Sequence, residues 1–351
     1  MSITRSVTSF DGISPAAFQH PDDDDASAAI RHVPMFPQIL KFVMSHQERF
    51  VEIDNLTSSL KLGPNQCRSI YSEYAQAAKV LDVNPIPDLH LRNGPVNAYA
   101  YGINRPIIMI FSGLLEALNQ DEIIAVLGHE LGHVKCKHML NKTLAHLLSI
   151  GVLQTVSRTL PLIGPASMLA LHAALFHWSR RAEISCDRAA MLAVQDERIV
   201  ASALGKLAGW SHVLDSSISL EALLEQSRRY DDYDAELDTS AYKAIHAIGN
   251  WDLTHPFPIS RVARILEWGK SDQYRSILAG EYPRNEHKAA AMGKQICSGC
   301  GNNVAEESQY CTNCGAPSGG SGAYLECPKC KSRTSKSSRH CPSCGHGLEP
   351  S

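Results

Sequence analysis

A five-residue segment, His-Glu-Leu-Gly-His from His129 to His133, lies within an apolar run that has helical periodicity from Ile123 to Leu140. Positions i and i+4 of a helix lie one above the other, so both imidazoles face the same side and can bind one metal ion. Glu130 lies beside them, where its carboxylate can take a proton from a metal-bound water. The segment therefore predicts a helical core around a metal site; the alternative is a buried helix with two incidental histidines.

The His-Glu-x-x-His spacing is typical of zincin metallopeptidases. Catalytic zinc usually has three protein ligands, so a third Glu or His must come from another element. Glu183 is the best candidate, because Glu183 and Asp187 are again i and i+4. One carboxylate can bind zinc while the other accepts a hydrogen bond from a zinc-ligating histidine. The alternative is an exposed acidic pair on a solvated helix.

Four sequence blocks identify a family. They are Asn97–Ala100, His129–His133, Ser179–Asp187 and Thr254–Arg261. In their order and spacing, over roughly residues 30–270, the chain resembles the HtpX-like and CAAX-prenyl-protease-like zinc endopeptidases within the gluzincins. The family usually has Ala where this chain has Cys186, which affects packing and not ligation.

The resemblance implies roles for further residues. Asn97, Ala98 and Tyr99 would belong to an edge strand that pairs with an extended substrate. His255 would either stabilise the oxyanion or occupy the fourth zinc position in a resting state. Arg261 would orient this region or pair with Asp187, unless it is a surface arginine. Other histidines, such as His138, are interpreted as packed or solvated.

The C-terminal tail carries a second metal pattern that repeats with a period of 30 residues. Each repeat supplies four thiolates at the spacing of a structural zinc site, and a glycine follows the last cysteine. We predict two zinc ribbons; a redox-active or disulfide-linked tail is the alternative. The first set is Cys297, Cys300, Cys311 and Cys314, and the second is Cys327, Cys330, Cys341 and Cys344.

Charge and cysteine placement bound the partners. The net charge of -3 gives no general case for nucleic acid or an anionic membrane as a partner. The second ribbon has a basic patch, for which a solvated surface or a protein contact is favoured over nucleic acid. We expect extended peptides or misfolded proteins as substrates and a protein partner at the ribbons.

We expect no signal peptide in the N-terminal region. Residues 1–30 are polar and are expected to form a partly disordered leader, with the acidic run Asp22–Asp25 as a solvated loop. The eleven cysteines should then stay reduced, which favours metal sites over disulfides and a cytoplasmic location.

An apolar region follows the metal-binding helix. Thr159–Ser179 has no charged residue, but Pro161, Gly164 and Pro165 interrupt it, and the uninterrupted part is Ala166–Trp178. That length suits a buried or interfacial helix better than a membrane span. We predict a helical hairpin packed on the catalytic domain; a peripheral membrane contact through 139–178 is the alternative.

Local patterns predict several other elements. Asp88–Leu91, Val96–Tyr101 and Pro106–Phe111 have strand character, and Asn119 with Glu122 forms a capping-box pattern that starts the metal-binding helix. Helical periodicity covers 35–82, 199–210 and 220–230, and Pro258 begins a last helix that runs to about Trp268.

Together these patterns predict an α+β, mainly helical fold: a gluzincin metallopeptidase domain with a small, edge-exposed sheet, followed by two zinc ribbons. The predicted division is a leader at 1–30, the peptidase domain at 31–282, a linker at 283–295, and ribbons at 296–317 and 325–347. The predicted function is a zinc-dependent endopeptidase with one catalytic and two structural Zn²⁺ ions and Glu130 as the general base. The alternative is an inactive or regulated peptidase scaffold whose ribbons recruit protein or nucleic-acid partners.

Overall fold

The computed structural model describes residues 7–31, 53–102, 105–149, 165–211, 219–236, 257–285, 324–326 and 333–335. The chain divides into two compact units, Met1–Pro283 and Arg284–Ser351. The first unit is mainly helical. Among the described residues, its helices are α1 (Pro21–Arg31), α2 (Arg68–Val80), α3 (Ser112–Ala117), α4 (Gln120–Lys135), α5 (Met139–Ser149), α6 (Pro165–Val194), α7 (Glu197–Leu207), α8 (Leu220–Glu236), α9 (Pro258–Trp268) and α10 (Asp272–Leu278).

A four-stranded mixed sheet packs beside these helices. Its strands are β1 (Leu60–Leu62), β2 (Asp88–Arg92), β3 (Ala98–Tyr101) and β4 (Ile107–Phe111), in the order β1-β2-β4-β3. Strands β2 and β4 are parallel, and the other two pairs are antiparallel. The fold class predicted from the sequence is thus confirmed, and β3 forms one end of this sheet.

Helix α4 carries the His-Glu-x-x-His segment and begins with the predicted capping box. The Asn119 side chain accepts a hydrogen bond from the Glu122 backbone, and the Glu122 carboxylate accepts one from the Asn119 backbone. These two bonds satisfy backbone donors that a helix start leaves without intrahelical partners. The start of α4, and with it the rotation of the metal-binding face, is fixed locally.

Two glycines allow α4 to pack closely against the long helix α6. A Cβ atom on Gly128 would lie 2.6 Å from Cβ of Ala193, and one on Gly132 would lie 2.7 Å from Cβ of Ala189. Real Cβ atoms do not approach so closely, so any larger residue would push the helices apart. The two helices therefore meet at the distance that the site requires.

The N-terminal segment differs from the sequence-based expectation. Residues 1–30 were expected to form a partly disordered leader, but Phe10, Ile13 and Phe18 lie fully inside the core. The acidic run is not a solvated loop, because it lies in α1, and its Asp23 is completely buried. The few apolar residues of this polar segment show no periodicity that would predict their burial. They are buried because they contact residues that are distant in the sequence.

The apolar region contributes α5 and α6, whereas residues 150–164 lie outside the described residues. Leu144, Leu171, Leu175 and Trp178 are buried. Among the residues that the structure describes, no helix is both long enough and apolar enough to cross a membrane.

The sequence periodicity did not predict two short elements of the first unit. Strand β1 lies inside the stretch 35–82 that was predicted as helical, and α10 had no prediction. In the second unit, β5 (Tyr324–Glu326) and β6 (Arg333–Ser335) form an antiparallel pair. The eight tail cysteines and the linker residues 286–295 lie outside the described residues.

Candidate active site

Helix α4 presents His129, Glu130 and His133 to the interior. Their exposed fractions are 6%, 0% and 1%. The two imidazole rings lie 5.0 Å apart between centroids, as expected for residues one turn apart. Buried imidazoles and a buried carboxylate are costly without partners, so the surroundings of this cluster decide its role.

Glu183 of α6 faces both histidines. Its Oε2 lies 3.4 Å from Nε2 of His129, and its Oε1 lies 3.3 Å from Nε2 of His133. Ligand atoms about 2.0–2.1 Å from a tetrahedral zinc ion lie roughly 3.3–3.4 Å from one another. The donor chemistry and the separations of these three side chains therefore fit a zinc ion that leaves one position for a further ligand.

Cys186 also approaches this cluster, since one ligand atom from each of His129, His133 and Cys186 lies within 4.8 Å of the others. Its sulfur lies 3.7 Å from Nδ1 of His138, and burial raises the pKa of the thiol well above its ordinary value. Because the Glu183 carboxylate faces Nε2 of both rings, Glu183 fits the third ligand position better than this thiol.

Asp187 and Arg261 lie behind the donors. Nδ1 of His129 lies 3.0 Å from Oδ1 of Asp187, while Nε of Arg261 lies 3.0 Å from Oδ2 of the same carboxylate. Arg261 also pairs with Glu183. With 4% of its surface exposed, Arg261 is not a surface arginine. The arrangement orients His129 and balances two buried acids with one buried cation.

The two histidines have different electrostatic surroundings. Burial opposes the charged form of His129, but Glu183 and Asp187 outweigh burial and raise the pKa of His129. Burial and the ammonium of Lys142 hold the pKa of His133 well below its ordinary value. A histidine binds a metal ion as the neutral ring, and the surroundings of His133 favour that form.

Lys142 of α5 is a site residue that the sequence did not reveal. Its Nζ lies 3.8 Å from Oε2 of Glu130. The lysine is seven positions beyond the end of α4, and no motif places a cation there. Its charge compensates that of the fully buried Glu130.

Strand β3 reaches the same site. A cavity lined mainly by small apolar side chains of α4, α6 and α7 is bordered by His129, Glu130 and Ala98. Asn97 precedes the strand, and its Oδ1 accepts a hydrogen bond from the backbone of Ala98. The ring of Tyr99 packs 5.7 Å from that of Phe111. His255 lies outside the described residues.

Two histidines and a glutamate from packed helices, with a second glutamate beside them, form an arrangement that is typical of zinc-dependent peptidases. The profile of Peptidase family M48 matches residues 64–269, and the chain belongs to that family. The tail matches the Double zinc ribbon profile over residues 297–345, a range that contains all eight tail cysteines.

Known relatives agree with this assignment. The chain is 34% identical over 273 residues to the plastoglobule-localized metallopeptidase 48, chloroplastic, of Arabidopsis thaliana, and the match covers 74% of each protein. Protease HtpX homolog 2 of Saccharolobus solfataricus is 42% identical over 69 residues, which are 19% of this chain and 21% of that protein. The CAAX prenyl protease 1 homolog of Dictyostelium discoideum is 36% identical over 69 residues, 18% of this chain and 16% of that protein. No solved structure matches the chain.

Proposed function

We propose that this zinc-dependent peptidase is an endopeptidase in which His129, His133 and Glu183 hold the catalytic zinc and Glu130 is the general base. The observation that supports this proposal is the convergence of the Glu183 carboxylate on both Nε2 atoms, at 3.4 and 3.3 Å. Glu130 lies on the same helix as the two histidines and borders the same cavity as His129.

Each residue then has a defined task. When bound, zinc supplies Lewis acidity that makes water more acidic and polarises the scissile carbonyl. Glu130 takes the proton of the attacking water as the new C–O bond forms. It returns that proton to the amine nitrogen as the C–N bond breaks. Lys142, 3.8 Å from Oε2 of Glu130, holds the carboxylate in place and compensates its charge before Glu130 takes the proton and after it returns it.

We further propose that substrates bind in extended form along β3. An edge strand offers backbone donors and acceptors to a peptide, which gives affinity with little dependence on side chains. Ala98 borders the same cavity as His129 and Glu130, so a peptide paired with β3 passes the reacting groups. The apolar lining favours an apolar substrate side chain next to the scissile bond.

The location of the protein is part of the proposal. We place the protein in the cytoplasm, with a peripheral membrane contact through 139–178 as the alternative. Release of any membrane-bound protein by high salt or carbonate would support a cytoplasmic protein with at most a peripheral membrane contact. Release by detergent alone would contradict both locations.

The activity test compares Glu130→Gln with His129→Ala and Glu183→Ala. Glu130→Gln should abolish hydrolysis of an unfolded protein such as casein and keep the zinc, because Glu130 is not a ligand. The two ligand variants should lose both activity and one zinc ion, measured by elemental analysis.

Glu116→Gln, at an exposed position of α3 outside the cavity, is the matched control and should behave as the parent. Hydrolysis at the parental rate by Glu130→Gln would remove the general-base assignment. Full zinc retention by Glu183→Ala would place the third ligand elsewhere. If the zinc-loaded parent protein leaves casein intact, the result would favour the scaffold alternative.

A further inference from the structure

Three buried side chains, those of the predicted zinc ligand His133, of His138 and of Asp23 in the N-terminal helix, form a continuous chain of contacts. Nδ1 of His133 lies 3.1 Å from Nδ1 of His138, and Nε2 of His138 lies 3.1 Å from Oδ2 of Asp23. The exposed fraction is 1% for His133, 2% for His138 and 0% for Asp23. Asp23 is 115 positions from His138 in sequence, so only the fold brings them together.

The proton positions along this chain follow from the partners at its two ends. A carboxylate accepts hydrogen bonds and cannot donate them, so the Nε2 of His138 that faces Asp23 carries a proton. A ring with one proton on Nε2 offers Nδ1 as an acceptor. The facing Nδ1 of His133 must then be the donor, which leaves the lone pair of His133 on Nε2. That nitrogen is the one turned toward Glu183.

The carboxylate end of the chain is held firmly. The Ser185 hydroxyl donates to Oδ2 of Asp23 across 2.6 Å, and the same hydroxyl accepts a hydrogen bond from the backbone of His20 at 2.9 Å. Burial alone would raise the pKa of Asp23, but the hydrogen bonds from His138 and Ser185 outweigh it and lower the pKa. Asp23 therefore stays ionised and keeps its demand for donors.

His138 is fixed on its remaining sides. Its ring packs edge-on against Trp178, with 5.4 Å between centroids. The Cys186 sulfur lies 3.7 Å from Nδ1 of His138, and a thiol there is a weak donor to the same acceptor. Both neighbours of that nitrogen thus supply donors, which agrees with the proton positions derived above.

We propose that Asp23 and His138 are positioning residues that hold His133 in the tautomer whose Nε2 binds zinc. The inference rests on the proposed function, because it requires His133 to be a zinc ligand. Asp23 would thus orient His133 as Asp187 orients His129, except that Asp23 acts through the additional imidazole of His138. This arrangement also makes the N-terminal segment part of the metal site: without α1 the relay has no carboxylate.

The test measures zinc affinity in the full-length chain through unfolding. All four tryptophans lie within Met1–Pro283, so their fluorescence reports on the peptidase unit and not on the tail. The zinc-dependent rise of the unfolding midpoint gives the affinity of the folded unit for the metal, whereas the midpoint of the metal-free protein reports packing alone.

Asp23→Asn removes the carboxylate, and His138→Phe removes the Nδ1 acceptor. Both substitutions approximately conserve the shape of the side chain. Each should weaken zinc binding by about 10–100-fold, the usual cost of losing an outer partner of a metal ligand. His138→Asn places an oxygen acceptor near the position of Nδ1 and should recover most of the affinity. Asp22→Asn is the matched control, since Asp22 belongs to the same acidic run and its side chain is 58% exposed.

The outcomes separate the relay from the site itself. His129→Ala and Glu183→Ala are measured alongside; if neither weakens zinc binding, the proposed function fails. If both weaken it while Asp23→Asn and His138→Phe stay within about twofold of the parent, the relay is wrong and the site stands. A lower metal-free midpoint with unchanged zinc affinity would mean packing only and also overturn the relay. If His138→Phe does not fold, Asp23→Asn decides.

Discussion

Nε of Arg261 lies 3.0 Å from Oδ2 of Asp187, so a cation from α9 closes the site against two carboxylates of α6. The side chain of Arg261 is 5% exposed and those of Glu183 and Asp187 are 3% and 4% exposed. At this depth an ion pair is costly to break from one side, because the partner charge is left buried.

We expect Arg261→Met to lower the free energy of unfolding of the metal-free protein by about 3–5 kcal/mol. Arg261→Lys should cost less, because it keeps the charge and loses the planar fork. Urea unfolding followed by tryptophan fluorescence measures both. Lys270→Met, at an exposed position just after the same helix, should change the value by less than about 0.5 kcal/mol. Equal effects of the Arg261 and Lys270 variants would contradict this account.

The part of the site that the sequence predicted is the part that one helix encodes. His129, Glu130 and His133 have fixed relative positions once α4 forms, and Glu183 with Asp187 repeats that geometry on α6. Helix α9 begins and ends at Pro258 and Trp268, as the proline and the apolar spacing predicted. In each case the local periodicity of the sequence was sufficient to predict the helix and the residues that share one of its faces.

The residues that were missed become part of the site through long-range contacts. Asp23 lies in a run of four aspartates, a composition that indicates a solvated segment. Its burial is stabilised by hydrogen bonds with His138 and Ser185, which are distant in sequence. His138 and Lys142 lie past the end of α4, where the turn into α5 decides which way they point. No single-helix pattern records such a turn.

Gly132→Ala tests how closely α4 and α6 must pack. A Cβ there would lie 2.7 Å from Cβ of Ala189 and 3.1 Å from Cα of Cys186, so α6 would have to move and carry Glu183 with it. The gain in helix propensity is about 1 kcal/mol, and overpacking costs typically about 1–3 kcal/mol. We expect a net loss of stability together with weaker zinc binding.

Adding Ala189→Gly to Gly132→Ala removes the closest contact and should restore part of both properties. Gly63→Ala is the control, since nothing lies within 4 Å of a Cβ at Gly63. The double variant and the controls are compared by urea midpoint and by zinc titration. A Gly132→Ala protein that is as stable as the parent and binds zinc equally well would show that the helices can separate without consequence.

The tail should raise the zinc content of the chain from one ion to three. Its eight cysteines form two sets of four at structural-zinc spacing, and such small modules depend on metal for their folding free energy. Elemental analysis of the purified full-length protein should therefore give three Zn²⁺ ions per chain. Truncation before Ile296 should leave one, and His129→Ala in the full chain should leave two.

Thiol titration provides an independent measure of the same prediction. In the zinc-loaded protein the tail thiols should react slowly, and a strong chelator should expose all eight at once. A full-length content of one zinc ion, with the tail cysteines present as free thiols or disulfides, would rule out metal in the ribbons. The catalytic assignment would be unaffected, because its ligands all lie in Met1–Pro283.

His255 provides the last prediction, since its two proposed roles give opposite results for one substitution. If the imidazole donates to the developing oxyanion, His255→Ala should lower kcat by about 10²–10³ with a smaller change in KM, because that charge is absent in the ground state. If it is instead a resting-state fourth ligand, its removal should free the position that water needs and raise kcat. Steady-state kinetics on one peptide substrate, with zinc content checked in parallel, separates the two. His255→Gln keeps a polar side chain and should retain more activity than His255→Ala only in the first case. Unchanged kcat and KM in both variants would exclude both roles for His255.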